Sequence, residues 1–164
     1  MSNVIFTNYN CDNYLLAAQE ELEDRYKDSD EWFEDEDVYA LAWRYTGEDW
    51  TDIYRPALAE YLNGHAVVIR GSIGRWNGHS YGGDVIIGMR KLEEYFEDCD
   101  YLEISEDDST LYLDGSHHDG TVSIAMRELT DEGIEYYREH EDDMDYGVID
   151  ELFYEYSKKP EINW

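Results

Sequence analysis

The sequence predicts an α+β fold: a mainly antiparallel sheet of about four strands with five to six helices packed against it. Three observations carry this reading. Apolar residues recur at helical spacing in the first 63 residues and the last 35. In the centre the pattern changes to β-branched and alternating runs. Glycine-bearing segments punctuate the changes.

Asn10 or Asp12 can cap a first helix running to about Lys27, with Leu15, Ala18, Leu22 and Tyr26 on one face. Val38, Leu41, Ala42 and Tyr45 mark a second helix from about Asp35, stopped by Gly47. Ile53, Ala57, Leu58 and Tyr61 mark a third from Trp50 to Leu62, with Pro56 set to kink it and Asn63-Gly64 to end it. Ala66 to Ile73 is β-branched and reads as a buried strand. Gly74–Gly83 reads as a loop, followed by a helix near Asp84–Phe96 on Val85, Ile86, Met89, Leu92 and Phe96. Leu102/Ile104 and Leu111/Leu113 alternate around Asp107-Asp108, and Val122/Ile124/Met126 alternate after Asp114–Gly120, which predicts two hairpins. Thr130 caps a helix to about His140, and Ile149, Leu152, Phe153 and Tyr156 mark a last one near Val148–Tyr156.

The 164 residues suit one domain, 1–164: a helical acidic lobe (1–63), a sheet-containing centre (64–129) and a helical acidic tail (130–164). Hydrophobic residues at 42% and aromatics at 15% are enough for a packed core, so acidity does not imply disorder. The N-terminus lacks the basic region and long apolar run of a signal peptide, and no segment is apolar enough to span a membrane. Cys11 and Cys99 form no CxxC pair and read as ordinary thiols. The expectation is a cytoplasmic protein.

Charge is the outlier. Forty-one acids against twelve bases give a net charge of −29. That equals the charge on about 50 Å of duplex DNA, carried on a globule about 40 Å across. Residues 1–63 contribute −12, residues 64–92 contribute +3 and residues 93–164 contribute −20. Self-repulsion on this scale costs stability, so the charge is expected to serve a purpose.

Three acidic runs interleaved with aromatics are the candidate partner-binding surface. The first is Asp28, Asp30, Glu31, Glu34, Asp35, Glu36 and Asp37, around Trp32 and Phe33. The second is Glu93, Glu94, Glu97 and Asp98, around Tyr95 and Phe96. The third is Glu139, Glu141, Asp142, Asp143 and Asp145, around His140, Met144 and Tyr146. Any single run is more economically read as a solvated face; together, in one small chain, they suggest a polyanionic surface. Carboxylates three or four residues apart on a helix stand about 5–6 Å from each other, near the spacing of phosphates along a strand. Such carboxylates can pair with the Lys and Arg of a DNA-binding cleft as phosphates do.

Two other segments are weighed beside them. The glycines of Gly74–Gly83, with Arg75, could cradle an anion, but the segment matches neither GxxxxGK[ST] nor GxGxxG. A tight connection whose Trp76 plugs the core is the simpler reading. His117, His118 and Asp119, with Asp114 and Cys99 nearby, could hold a divalent metal. Adjacent histidines on a strand point to opposite faces, so a hairpin loop turning at Asp119-Gly120 is preferred and no metal or cofactor is expected. No nucleophile elbow or EF-hand spacing occurs, and the carboxylates are too many for any pair to stand out as acid and base, so no catalytic residues are assigned.

Across residues 69–130 the glycine-tryptophan loop followed by His-His-Asp-Gly resembles small proteins of phages and mobile elements of Gram-positive bacteria. By size, charge and these motifs the whole chain resembles the DNA-mimic inhibitors, anti-restriction or anti-CRISPR proteins, that such elements deploy. The resemblance implies a non-enzymatic inhibitor that does not itself bind nucleic acid or membrane and that fills the DNA-binding cleft of a host nuclease, foremost a Cas9-type CRISPR effector. Restriction complexes or other DNA-binding proteins are alternative targets. Two other readings are an ordinary halophilic domain and a metal-dependent enzyme around Gly74–Gly83 and His117–Asp119.

Overall fold

The β-branched and alternating runs of the centre, joined by strands from both ends of the chain, build one antiparallel sheet in the order β1-β4-β5-β6-β2-β3, with β7 added against the end of β6. The computed structural model describes residues 3–8, 12–75, 78–97, 99–117 and 120–164. In chain order the elements are β1 (Asn3–Thr7), α1 (Asp12–Tyr26), α2 (Asp35–Asp49), a π-helical turn (Trp50–Tyr54), α3 (Arg55–Gly64), β2 (Ala66–Arg75), β3 (Gly78–Ile87), α4 (Met89–Phe96), β4 (Tyr101–Glu106), β5 (Leu111–His117), β6 (Gly120–Leu129), α5 (Asp131–His140), α6 (Tyr146–Glu155) and β7 (Ser157–Lys158). The α2, π and α3 segments follow one another without a break, so the described residues form five separate α-helical rods.

The register stacks the core. Ile104 pairs with Leu113 and Leu113 with Ile124, while Leu111 pairs with Met126 and Met126 with Ile69, so these side chains share one sheet face. That face is covered by Leu58, Tyr61 and Leu62 of α3, Leu92 of α4, Trp50 and Tyr54 of the π turn, and the C-terminal Ile162 and Trp164. The opposite face buries Val68, Val85 and Leu129 beneath Val148, Ile149, Leu152 and Phe153 of α6 and the aromatic side of α5. Gly83 admits α6: a Cβ there would stand 2.5 Å from Ile149 Cγ2. Helices α1 and α2 pack on each other over a third cluster, Ala18, Leu22, Phe33, Val38, Leu41 and Ala42. The Tyr14 hydroxyl, donating to Asp49 Oδ2 at 2.6 Å, ties α1 to the end of α2, and the Trp43–Tyr101 edge contact ties this helical hairpin to the sheet.

Side chains close the helix ends. Glu34 and Asp37 form a reciprocal capping box on α2, the Thr130 hydroxyl accepts from Gly133 N at 3.1 Å at the start of α5, and Asp145 Oδ1 accepts from Val148 N at 2.9 Å at the start of α6. Pro56 stands just after the π turn, inside the continuous rod, where it has no N–H to give to the i−4 carbonyl of a regular helix. One buried acid, Glu128, accepts a hydrogen bond from the Tyr61 hydroxyl at 2.5 Å and pairs with Lys158 at 3.2 Å, fastening α3 and β7 to β6. Burial, with Glu128 as the second cause, pushes the Tyr61 phenol far above its ordinary pKa, so it remains a donor.

The β4–β5 turn is held by one carboxylate. Asp107 Oδ1 accepts from the backbone N–H groups of Ser109 and Thr110, both at 2.8 Å, and Oδ2 accepts from the Tyr112 hydroxyl at 2.7 Å. These bonds, the Tyr112 one foremost, lower its pKa to about 2. A carboxylate with a depressed folded-state pKa contributes stability above its unfolded value near 3.9, and that contribution is lost as pH falls through about 2. Asp107→Ala is therefore expected to melt below the parent at pH 7, with the gap closing between about pH 4 and pH 2. Paired thermal melts across that range check it; a gap independent of pH would mean the carboxylate's charge is not what holds the turn.

The α+β class and the antiparallel sheet are as the sequence predicts, but the sheet is larger than four strands. Of the predicted loop Gly74–Gly83, Gly74 and Arg75 end β2 and Gly78–Gly83 begin β3, Trp76 and Asn77 lying outside the described residues; β3 runs on to Ile87 through the start of the predicted helix 84–96, and only Met89–Phe96 of it is helical. Val85 and Ile86 fit a helical stripe, but they point to opposite sheet faces and meet separate cores. The short strands β1 and β7 add to the count. Gly47 does not stop α2, because the chain passes through the π turn into α3.

Candidate acidic interface

The bases of this protein are largely committed to its own acids. Arg25 pairs with Glu21, Lys27 with Asp24, Arg44 with Glu48, Arg55 with Glu93, Arg70 with Asp150, Lys91 with Asp84, Lys158 with Glu128 and Lys159 with Glu106, at 2.6–3.5 Å. Arg127 is held by Ser157 Oγ at 2.7 Å, by the Ser109 carbonyl at 2.6 Å and by the ring of Phe153. The pairs consume few of the acids.

The first acidic run lies on the link between α1 and α2 and the opening turn of α2. Asp28, Asp30, Glu31, Glu34, Asp35, Glu36 and Asp37 are all exposed, Phe33 turns inward, and Trp32 stays 60% exposed. Glu34 and Asp37 are committed to the capping box, and Asp35, Glu36 and Asp37 favour the positive end of the helix dipole. In the second run Glu93 is held by Arg55, and Glu94 and Glu97 are exposed. Asp98 lies outside the described residues. In the third run Asp145 caps α6, while Glu139, Glu141, Asp142 and Asp143 are exposed. The last three form a 3-10 turn following α5. Negative charge at the C-terminal end of a helix opposes the dipole, so these acids do not serve the helix they follow.

Asp28, Asp30, Glu31, Asp35, Glu36, Glu94, Glu97, Glu139, Glu141, Asp142 and Asp143 form no ion pair with any described base. The three runs are not brought into one patch. Helix α4 packs on one face of the sheet, the α5–α6 pair packs on the other, and the first run tops a hairpin with its own core.

The other sequence candidates divide. Among the described residues no three His, Cys, Asp or Glu side chains converge as metal ligands. His118, Asp119, Trp76 and Cys11 lie outside the described residues, as does the His117 side chain. Asp114 accepts a hydrogen bond from the Ser123 hydroxyl on the sheet face beyond the end of α6. There β5 and β6 line two shallow depressions, of about 420 and 350 Å³, with Arg70, Tyr112 and Tyr146 at one end and Glu103 and Ser116 at the other. Among the described residues no helix is long and apolar enough to cross a membrane.

One surface escaped the sequence reading. Leu15, Leu16, Gln19, Asp35, Val38 and Tyr39 line an open groove of about 530 Å³ between α1 and α2, with Leu16 62% and Tyr39 63% exposed. Leu16 stands off the Leu15/Ala18/Leu22 stripe and Tyr39 off the Val38/Leu41/Ala42 stripe; a search for a second apolar stripe on each helix would have found them. No family model matches this chain, and no curated protein or solved structure matches it.

Proposed function

We propose that this protein is a polyanionic inhibitor that occupies the DNA-binding cleft of a host defence nuclease, foremost a Cas9-type CRISPR effector. The observation that carries the reading is the separation of charge: eight of the twelve bases pair with the protein's own acids, while the exposed carboxylates of Asp28, Asp30, Glu31, Asp35, Glu36, Glu94, Glu97, Glu139, Glu141, Asp142 and Asp143 form no ion pair with any described base. Such carboxylates are free to take the place of phosphates against a cleft's Lys and Arg. Of the three runs, 139–143 is the favoured contact face, because its acids work against the helix they follow.

The test is displacement. A Cas9–guide complex holding labelled target duplex should release it as this protein is titrated in, and the effect should weaken steeply between about 50 and 200 mM salt. The protein alone should leave free DNA unshifted in a gel, because two dense negative fields repel; a shift would sink the reading. It should also stay folded at low salt, where a halophilic domain of this charge would unfold, so a melt series in KCl separates those two accounts.

A further inference from the structure

We infer that the groove between α1 and α2 is a docking seat for a cationic amphipathic helix of another protein. Three features converge there. The floor is apolar, built from Leu15 and Val38, and the walls are Leu16 and Tyr39, both left more than half exposed. Two packed helices with an open apolar groove between them leave room for a third helix, seated at 8–10 Å, the usual spacing of packed helices. The rim is acidic: Asp35 lines the groove, Glu20 stands one turn beyond Leu16, Glu36 lies one turn before Tyr39, and Glu23 is held at Gln19 by a 2.8 Å hydrogen bond.

Charge selects the occupant. The bases of these two helices are already engaged, Arg25 by Glu21 and Arg44 by Glu48, and Lys27 just beyond α1 is engaged by Asp24, so the rim presents net negative charge. A second copy of this chain would bring −29 against −29, and nucleic acid is repelled for the same reason. A helix with Leu-like anchors at i and i+4 and Lys or Arg flanking them matches both the floor and the rim. This seat lies on a different part of the surface from residues 139–143, so it stands whether or not that run displaces DNA.

The probe is a fluorescent synthetic Leu/Lys peptide of about 18 residues with apolar positions at helical period. Anisotropy titration should show saturable binding to the parent, and Leu16→Ser with Tyr39→Ser should weaken it at least about tenfold. A Glu141→Lys, Asp142→Lys, Asp143→Lys variant should bind within about twofold of the parent, beyond what altered net charge explains. In parent protein, without any substitution, peptide should shift the backbone amide resonances of residues 15–19 and 35–39. Equal binding by a scrambled peptide of the same composition would overturn the inference, as would unchanged affinity in the double variant or no binding by the parent. So would a parent dimer in sedimentation that Leu16→Ser with Tyr39→Ser dissolves, which would assign the groove to a second copy.

Discussion

Reversing Glu141, Asp142 and Asp143 to Lys should cut displacement of DNA from the target nuclease by at least about a hundredfold while leaving the melting temperature unchanged or slightly raised. The three side chains are exposed and form no ion pair with any described base, so their reversal breaks no salt bridge among the described residues. Placing positive charge after the last turn of α5 favours its dipole and relieves repulsion. Within a basic cleft each reversal sets like charge against Lys or Arg, at a cost of about 1–3 kcal/mol apiece, and every 1.4 kcal/mol is a factor of about ten. Matched reversals at Asp28, Asp30 and Glu31, and at Glu94 with Glu97, rank the other two runs. Glu34, Asp37, Glu93 and Asp145 are left alone in these variants, since each has a structural partner that its loss would strand. If all three variants displace DNA as the parent does, exposed carboxylate is not the working surface.

The largest effect on stability should come from a single methyl group. Gly71 of β2 pairs with Ile124 of β6 on one side and Gly82 of β3 on the other. A Cβ on Gly71 would stand 2.1 Å from the Ser123 carbonyl oxygen and 3.1 Å from Ile124 Cα, whereas a Cβ on Gly82 meets nothing within 4 Å. Backbone cannot swing aside as a side chain can, so Gly71→Ala must pry β2 from β6 at the middle of the sheet. The expected loss is about 3 kcal/mol, the upper end for overpacking a core. Gly82→Ala, directly across the ladder, should be neutral or stabilising by up to about 1 kcal/mol through the unfolded chain. Urea titration of the two variants decides the matter, and equal midpoints would refute the close approach of β2 and β6.

Much of this fold is readable from local pattern, because the helices at both ends are closed by signals close in sequence. Thr130 and Asp145 cap α5 and α6, and the Leu15, Ala18, Leu22 stripe marks α1. What escaped reading depends on distant partners. Val85 and Ile86 have neighbours on two different sheet faces, which no window around them contains, and so the local pattern of this strand fits a helix equally well. Strands β1 and β7 are short and acquire their structure from β4 and β6, far along the chain. The acidic runs are legible as composition, but which of their acids the fold itself uses is not. The sequence does not distinguish Asp145, which closes a helix, from Asp142, which closes nothing, until the backbone brings Val148 N to one of them.

The π turn at Trp50–Tyr54 has a mechanical consequence. It joins α2 and α3 into one rod from Asp35 to Gly64, about 45 Å long at helical rise. A π insertion rotates the helix surface, so the stripe of α2 can face α1 while that of α3 faces the sheet. Phe6 locks the joint, its ring 5.7 Å from Trp50 and 4.7 Å from Tyr54. The α1–α2 arm is consequently a cantilever without a hinge, and whatever engages its tip meets a preorganised shape. Little ordering entropy is then lost on association, and strain applied at residues 28–37 is delivered through the rod to the sheet core.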